Sequence, residues 1–342
     1  MNEQDLWQSM MPVEKDRPKG LLYHYTTKEG LLGIIQENCL RASGIRYCND
    51  QEEFREAFGR KYSDAFVNSL MPNASDKIMI TINETLKSMI GGLESFLISF
   101  TDDESALLST CSEIEERKKQ AGNRLSQWRG YTRASGGYSL GFDYDSLSNW
   151  TNNELKSPWS SLWIRKCIYE ESERLNNAKS IGSSGIDHLQ QLMTYQVEDF
   201  TKENHRPPHD EEYSNIRSKC IFPAVSAASV TYTIEASRHK HELFREEFEW
   251  RLIFHVYRDK LLGAHHASPD KPIIKFRNGL FGITPYVEYP LNLKTDKSPL
   301  RRIVVGPCPY PEESKAAIEL LLAANDIQGV KVDDSKIPYR NW

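Results

Sequence analysis

The chain has 342 residues, of which 39% are hydrophobic and 11% aromatic, and a net charge of −5; this is enough apolar material for one large domain or two ordinary ones. The acidic balance and a pI near 6.0 exclude the overall basic charge typical of nucleic-acid-binding proteins, although a local basic patch remains compatible with it. The sequence has no apolar run of about 18 residues, so it predicts no membrane span, and residues 1–20 lack the apolar core of a signal peptide.

The cysteines and histidines predict neither disulfides nor a metal site. The six cysteines are scattered and none forms a C-x-x-C pair: Cys39, Cys48, Cys111, Cys167, Cys220 and Cys308. In a chain of this length, that usage is typical of reduced thiols in a cytoplasmic protein. No cysteine joins the histidines at zinc-finger spacing, so we predict no metal ligands among them.

The first predicted elements are a short strand over 21–25 and a helix directly after it. Thr26 and Glu29 fit a capping box, in which each side chain accepts a hydrogen bond from the backbone of the other residue. Apolar residues at helical spacing then predict a second helix over 51–70. The apolar segment 95–101 predicts a buried strand.

The middle of the chain alternates between exposed and apolar segments. Acidic and then basic residues after 101 predict an exposed excursion of about twenty residues, and 125–132 predicts a short helix or turn. The segments 137–143 and 161–170 have the alternating pattern of strands.

A long helical block separates the β-rich ends of the chain. Residues 172–243 have helical periodicity, broken at 205–210 by the sequence HRPPHD. The remaining predicted elements are strands at 248–257, 272–277, 284–289, 301–307 and 329–332, with a helix at 312–325. We therefore predict an α+β protein with a polar tail over 1–20 and a single mixed-sheet domain over 21–342, which carries a helical insertion at about 171–243.

The segment GYSLG at 137–141 matches G-x-S-x-G, the nucleophile elbow of α/β-hydrolases. That elbow requires an apolar strand before the serine and a helix after it. Here polar, turn-rich residues precede Ser139, and the serine itself lies within an alternating run. The pattern therefore favours a glycine-containing strand over a hydrolase.

The segment FREEFEWRLIF at 244–254 carries charges in alternation. In a strand, Glu247, Glu249 and Arg251 would share one face, while the aromatic and apolar residues between them would take the other. Two carboxylates at the start of a buried strand fit two interpretations equally well. One is an ion pair with Arg251, and the other is a catalytic carboxylate with an orienting partner.

Polar residues in the first and third predicted strands are either structural or contacts to a ligand. On its own, His24 is more typical of a hydrogen-bonded core residue than of a ligand contact. The hydroxyls of Ser99 and Thr101 most often satisfy nearby backbone groups at a strand end.

Several short motifs that follow one another along the chain resemble the motifs of a known family. LYHYT, RYCNDQEEF, SFT, LSQWRGY, GGYSLGFD, EEFEWRLI, IVVGPCP and IPYR follow one another along the chain. Together they resemble the bacterial domain of unknown function 2971 from about residue 21 to 340. That resemblance implies no reaction, and the helical stretch 171–240 carries none of its motifs.

The same motifs resemble, more weakly, the ADP-ribosyltransferase fold, which implies a split mixed or antiparallel sheet as the core. His24-Tyr25-Thr26 matches the His-x-Thr that ends the first core strand in that fold. Ser99-Phe100-Thr101 stands in for its Ser-Thr-Ser, and Glu247-Phe248-Glu249 matches its Glu-x-Glu. The sequence thus combines the histidine of one branch of the fold with the Glu-x-Glu of another.

The resemblance implies roles for these residues in cleaving NAD. Glu249 would stabilise the positive charge that develops on the ribose, Glu247 would orient or deprotonate the acceptor, and His24 would bind the adenosine ribose. The other implied NAD-binding residues are Thr26, Ser99 and Thr101 in the motifs, Tyr25, Trp128 or Tyr138 as stacking rings, and Arg129 or Arg251 for the pyrophosphate.

The resemblance leads to one main hypothesis and two alternatives. The first is an NAD-dependent ADP-ribosyltransferase or NAD-cleaving enzyme, acting as a bacterial toxin or anti-phage defence effector on an unidentified protein or nucleic-acid acceptor. The first alternative is a catalytically degenerate module of the same fold that senses a nucleotide or binds a protein partner through 171–243. The second is a metal-dependent nuclease or hydrolase that uses Asp50, Glu53 and the Glu247–Glu249 pair.

Overall fold

The computed structural model describes residues 16–18, 20–48, 55–72, 76–102, 123–132, 136–148, 160–257, 274–279 and 282–338. The strands are β1 (Leu22–Thr26), β2 (Cys39–Gly44), β3 (Leu93–Thr101), β4 (Tyr138–Phe142), β5 (Ser160–Lys166), β6 (Glu249–Tyr257), β7 (Lys275–Gly279), β8 (Gly282–Pro290), β9 (Leu300–Val305) and β10 (Lys331–Asp334). The helices are α1 (Lys28–Glu37), α2 (Arg60–Leu70), α3 (Asp76–Gly92), α4 (Leu125–Tyr131), α5 (Glu171–Asn204), α6 (Asp210–Ala236) and α7 (Pro311–Ala324).

The strands form one mixed sheet, and the predicted α+β class is confirmed. The main path runs β10-β9-β4-β1-β3-β2-β8-β7, and β6 extends from β3 to β5. Among the pairs of named strands, β9 and β10 are parallel and the others are antiparallel.

Strand β3 is the point at which the sheet branches. One edge of β3 pairs with β6 along all nine residues. The other edge is shared, because β1 meets it at Thr101 while β2 meets it at Phe96 and Leu97. Ser99 lies in the gap between these two pairings, so β1 and β2 diverge at this residue.

Side chains of β3 and β6 alternate between two packed faces, as expected for strands buried on both sides. One face carries Phe100 and Trp250 into the main core, which α1 and α7 also line. On the other face, Leu93 packs against Val230 and Ile234 of α6. The helical layer of α2, α3, α5 and α6 has its own core on this second side.

Close helix packing explains two glycines in α5. A Cβ atom at Gly182 would lie 2.4 Å from the Phe66 carbonyl oxygen of α2, and a Cβ at Gly185 would lie 2.3 Å from Leu70 Cδ1. These glycines therefore let α5 approach α2 more closely than an alanine would allow.

Three predicted boundaries change in the structure. Thr26 is the last residue of β1, so Thr27 caps α1 instead, and its side chain accepts a hydrogen bond from the Gly30 N–H at 3.2 Å. The helix predicted over 51–70 is interrupted by a turn at 57–59, after which α2 begins at Arg60 with Gly59 as its N-cap. Residues 55–56 are helical, and residues 51–54 lie outside the described ones.

The third change concerns the start of β6. Glu242–Glu247 form a 3₁₀ helix that ends at Phe248 in the left-handed conformation, with φ of 43°. The strand begins only at Glu249, so Glu247 does not belong to the alternation predicted for it.

In the part of the chain that the structure describes, no helix combines the length and apolarity needed to cross a bilayer.

Candidate functional site

Two basic side chains hold Glu249 in the interior at the start of β6. Lys240 Nζ donates to Glu249 Oε2 at 2.6 Å, and Arg251 donates to the two carboxylate oxygens at 2.9 and 3.2 Å. The exposed fractions are 2% for Glu249, 1% for Lys240 and 0% for Arg251. The carboxylate is therefore paired on two sides and has almost no contact with solvent.

Lys240 also joins this pair to Glu247. Its Nζ donates to Glu247 Oε2 at 2.7 Å, and the Tyr131 hydroxyl of α4 donates to the same oxygen at 3.2 Å. The Glu247 side chain is 15% exposed, so it is the carboxylate of this group that reaches the surface. We refer to Tyr131, Lys240, Glu247, Glu249 and Arg251 as the ionic cluster.

Backbone contacts fix the two cations of the ionic cluster. After α6 ends, the Lys240 N–H donates to the Ile168 carbonyl at 3.1 Å. Arg251 Nη1 donates to the Ser237 carbonyl at 2.8 Å, which ties β6 to the end of α6. The Tyr169 hydroxyl accepts the Glu249 N–H at 2.7 Å.

The cations of the ionic cluster keep Glu249 ionised despite its burial. Burial by itself would raise the pKa of Glu249, but the positive charges of Arg251 and Lys240 overcome this and lower the pKa to about 2. Glu249 is therefore ionised throughout the neutral range. Because two carboxylates face two cations, the cluster has no net negative charge to offer a ligand.

His24 lies at the gap in the sheet and contacts the third strand directly. Its Nδ1 lies 3.0 Å from the Ser99 carbonyl oxygen. Burial lowers the pKa of His24, and the hydrogen bond to Ser99 opposes this only in part, so the ring is neutral at neutral pH. Because a carbonyl can only accept, Nδ1 carries the proton and Nε2 remains an acceptor, suited to a hydroxyl donor.

The strand register places His24 and Glu249 on opposite faces of the sheet. The His24 ring lies 6.0 Å from that of Phe100, which belongs to the core beneath α1 and α7. Glu249 pairs with Thr101 in the register of β3 and β6 and so faces the helical layer. His24 therefore approaches the ionic cluster only through the main chain of Ser99.

The Ser-x-Thr segment lies nearer to the glutamates. Ser99 and Thr101 are the register partners of Arg251 and Glu249, and the Thr101 hydroxyl donates to the Glu247 carbonyl at 2.8 Å. The structure thus brings Ser99, Thr101, Glu247, Glu249 and Arg251 together. The Thr101 hydroxyl thus donates to a backbone carbonyl, but this carbonyl lies 146 residues further along the chain and not at the end of its own strand.

The aromatic residues proposed as stacking rings are largely occupied by packing. Tyr25 and Trp128 form an edge-to-face pair with centroids 4.8 Å apart, and their exposed fractions are 6% and 3%. The Tyr138 hydroxyl lies 3.2 Å from Ser314 Oγ, and Tyr138 pairs with Thr26 in the register of β4 and β1. In this packing, neither Tyr25 nor Trp128 presents a ring face to a ligand.

The arginines proposed for the pyrophosphate differ in position. Arg129 is exposed on α4, whereas Arg251 is buried within the ionic cluster. A further arginine, Arg124, joins α4 to this region. It donates to the Asp102 carbonyl at 2.8 Å and to the Glu246 carbonyl, and its guanidinium lies 4.6 Å from the centre of the Phe248 ring.

The two other sequence motifs acquire structural explanations. Ser139 is fully buried within β4 and pairs there with Tyr25 and Val304, so GYSLG is part of a strand and the exposed nucleophile elbow is absent. Asp50 and Glu53 lie outside the described residues. Between Glu247 and Glu249, the position that a metal ion would need is filled by the Lys240 ammonium.

One group of described side chains has the spacing of metal ligands. The ligand atoms of Glu37, Cys39 and Glu288 lie within 4.8 Å of one another. Arg41 already pairs with Glu37 at 2.6 Å, and Lys275 pairs with Glu288 at 2.7 Å. This group is therefore a charge-balanced ion-pair network over a buried thiol.

Sequence reasoning did not find Lys240, Tyr131 or Arg124. Lys240 lies in His-Lys-His after a long helix, and Tyr131 lies more than one hundred residues before the glutamate that it contacts. No spacing rule links such residues, because the fold alone brings them together. The one available signal was a lysine that precedes the two glutamates by only 7 and 9 residues.

A family model supplies an independent comparison for this region. The model described as "Protein of unknown function (DUF2971)" matches residues 127–252. The DUF2971 resemblance is thereby confirmed over this stretch. The DUF2971 match includes all five residues of the ionic cluster but neither His24 nor Ser99. No curated protein and no solved structure matches the chain.

Proposed function

We propose that this protein binds a nucleotide, with NAD as the first candidate, and that it does not cleave the nucleotide while its glutamates are paired as described. The observation that carries the proposal is the double pairing of the buried Glu249 with Lys240 and Arg251. A carboxylate can stabilise a ribose cation only if its charge is directed at that cation. Here two protein cations already neutralise it.

Two features support a nucleotide as the ligand. The branched edge of β3 fits the split sheet that the ADP-ribosyltransferase resemblance implies. At that edge, on the face of the sheet opposite to Glu249, His24 offers an acceptor nitrogen suited to a ribose hydroxyl. The second feature is the surface beside Glu247, where the Arg124 guanidinium donates to the Glu246 carbonyl and lies over the half-buried Phe248 ring. Cations beside aromatic rings recognise phosphate together with a base.

A second candidate is the NAD-cleaving ADP-ribosyltransferase itself, acting in toxicity or anti-phage defence. It is favoured by one observation, namely that Thr101 and Glu247 are hydrogen-bonded and that the Glu247 side chain reaches the surface. In that case Glu247 would be the carboxylate nearest to the ribose. Lys240 would then have to withdraw, because its ammonium would repel the developing cation.

Calorimetric titration and an assay of nicotinamide release separate the two candidates. The full chain is titrated with NAD and ADP-ribose, and free nicotinamide is then measured for the wild type, Glu247→Gln and Glu249→Gln. We expect saturable binding and no release. Glu288→Gln is a matched control, because Glu288 is a partly exposed glutamate of β8 that pairs with Lys275 of β7.

Each outcome decides between the alternatives. Release by the wild type that is lost in Glu249→Gln or Glu247→Gln, but kept in Glu288→Gln, would establish the NAD-cleaving enzyme instead. Absence of binding to any nucleotide would reject the proposal and leave partner binding as the role of the module.

A further inference from the structure

The Glu247 carboxylate occupies a position on which two donors of the ionic cluster converge. Lys240 Nζ lies 2.7 Å from Glu247 Oε2, and the Tyr131 hydroxyl donates to the same oxygen at 3.2 Å. An ammonium and a hydroxyl that share one oxygen are the donors that bind an anionic oxygen atom. We refer to Lys240 Nζ and the Tyr131 hydroxyl together as the anion seat.

Other contacts hold the donors of the anion seat independently of Glu247. The Lys240 N–H donates to the Ile168 carbonyl at 3.1 Å, and its Nζ also donates to Glu249 Oε2 at 2.6 Å. Tyr131 is the last residue of α4, so the helix fixes its main chain. The anion seat therefore keeps both donors if the Glu247 side chain turns away.

Glu247 is the more exchangeable of the two glutamates that contact Lys240. Its side chain is 15% exposed, against 3% for Glu249, and the 3₁₀ helix 242–247 to which it belongs has no buried residue. The Thr101 hydroxyl holds the Glu247 main chain through its carbonyl. The carboxylate can therefore rotate into solvent by its own side-chain torsions while the backbone stays in place.

Rotation of Glu247 away from the anion seat leaves an excess of positive charge. Lys240 and Arg251 then face the single carboxylate of Glu249. The ammonium lies close to the surface, because it is 5.3 Å from the centre of the Phe244 ring, which is 47% exposed. A buried cation that has lost one of its carboxylates strongly favours contact with another anion.

We propose that the anion seat binds a phosphate group, and that Glu247 competes with this phosphate for the seat and leaves when it binds. This inference deepens the proposed nucleotide binding, and it rests on that proposal for the molecule that carries the phosphate. A phosphate has three strong acceptor oxygens, so it can accept from Lys240 and Tyr131 at the same time. The affinity for the phosphate is reduced in the wild type, because only molecules with Glu247 turned away can bind it.

Calorimetric titrations test the competition directly. NAD, AMP, adenosine and inorganic phosphate are titrated, in a buffer free of phosphate, into the full-length wild type, Glu247→Gln and Glu246→Gln. Glu246 is the matched control, because it is the adjacent residue in the same 3₁₀ helix, is exposed, and loses the same charge on substitution. Circular dichroism verifies that each variant is folded.

For NAD and AMP we expect Glu247→Gln to tighten binding about fivefold or more, because the competing carboxylate is removed. Glu246→Gln should stay within about twofold of the wild type. Adenosine has the same base and ribose as AMP but no phosphate, so it should bind about tenfold more weakly. Its affinity should not change in Glu247→Gln.

A second substitution tests the hydroxyl of the anion seat. Tyr131→Phe keeps the ring and removes the donor, and it is made in the Glu247→Gln background because the hydroxyl contacts Glu247 in the wild type. We expect AMP to bind this double variant about threefold or more weakly than it binds Glu247→Gln, as loss of one hydrogen bond does. Equal affinities would remove Tyr131 from the seat.

The results separate this inference from the proposed function. If NAD or AMP binds the wild type and Glu247→Gln binds it equally or more weakly, Glu247 does not compete with the phosphate and this inference alone is wrong. If inorganic phosphate binds more tightly to Glu247→Gln but no nucleotide binds, the anion seat is supported and the proposed function is wrong. If none of the phosphate-bearing compounds binds either protein, both are wrong.

Discussion

Lys240 Nζ lies 2.6 Å from Glu249 Oε2, and the side chains of Lys240 and Glu249 are only 1% and 3% exposed. Such a pair gains little over a well-packed apolar pair, because desolvation of both charges offsets most of their attraction. Loss of one partner is costly, however, since the remaining charge stays buried. The same ammonium also contacts Glu247, so Lys240 is the residue on which the charge balance of the ionic cluster depends.

We therefore expect Lys240→Met to lower the free energy of unfolding by about 3 kcal/mol or more, the usual cost of breaking a buried ion pair. Urea unfolding followed by circular dichroism measures the change. Lys275→Met is the control, because Lys275 pairs with Glu288 at a similar distance while 46% exposed. It should change stability by less than about 1 kcal/mol, and equal losses in both variants would contradict the importance of burial.

Gly182 permits close contact between α5 and the backbone of α2. Gly182→Ala would place a methyl group 2.4 Å from the Phe66 carbonyl oxygen and 2.8 Å from Ser69 Cβ. We expect a loss of about 1–3 kcal/mol from overpacking, which outweighs the gain of about 1 kcal/mol in helix propensity.

The matched variant for Gly182 is Gly91→Ala in α3. Apart from its two chain neighbours and the nearby backbone of its own helix, no atom lies within 4 Å of a Cβ at Gly91. This substitution should therefore leave stability unchanged or raise it by up to about 1 kcal/mol. Thermal unfolding of both variants provides the comparison. An increase in the melting temperature of Gly182→Ala would show that α5 can move away from α2 at little cost.

Two buried histidines predict a loss of stability in mild acid. Burial lowers the pKa of His255 to about 3, and burial together with the charges of Arg174, Arg238 and Arg251 lowers the pKa of His239 to about 3. The unfolded chain therefore binds more protons than the folded one between pH 6.5 and 3. Stability must fall as the pH falls through this range, by up to about 1.4 kcal/mol per pH unit for each histidine.

His255→Asn should reduce the dependence of the unfolding free energy on pH by the contribution of one histidine. Urea unfolding at pH 7 and pH 5 measures the slope above the range in which carboxylates with lowered pKa values begin to titrate. His205→Asn serves as the control, since His205 is exposed at the end of α5. An unchanged slope in His255→Asn would mean that His255 is protonated in the folded protein.

The order of elements was largely predictable from the sequence, because it depends on local periodicity. The strand over 95–101 and the two helices of 172–243 with their break occur in the structure with small shifts, and 125–132, predicted as a short helix or turn, is a helix. Within α5, the apolar residues Leu189, Met193 and Val197 pack against α6. These patterns survive folding because tertiary contacts bury the same faces that the sequence marks as apolar.

The candidate site was less predictable, because its geometry depends on contacts between distant elements. The pairing of Glu249 with Arg251 was one of two interpretations of an alternating segment, but the contribution of Lys240 required the path of the chain after α6. The left-handed conformation of Phe248 removed Glu247 from the strand, and a phenylalanine gives no signal of such a turn. The face of the sheet on which His24 lies depends on the register of β1, which local patterns do not fix.

The start of α1 offers a direct test of the shifted cap. Thr27 has the extended backbone of an N-cap residue and accepts the Gly30 N–H, whereas Thr26 is the last residue of β1. Thr27→Val keeps the branched shape but loses the acceptor, so we expect a loss of about 1 kcal/mol. Thr26→Val should change stability by less than about 0.5 kcal/mol, because its hydroxyl does not cap the helix. Chemical unfolding of the two variants measures the difference, and a larger loss for Thr26→Val would move the cap back to the residue that the sequence pattern indicates.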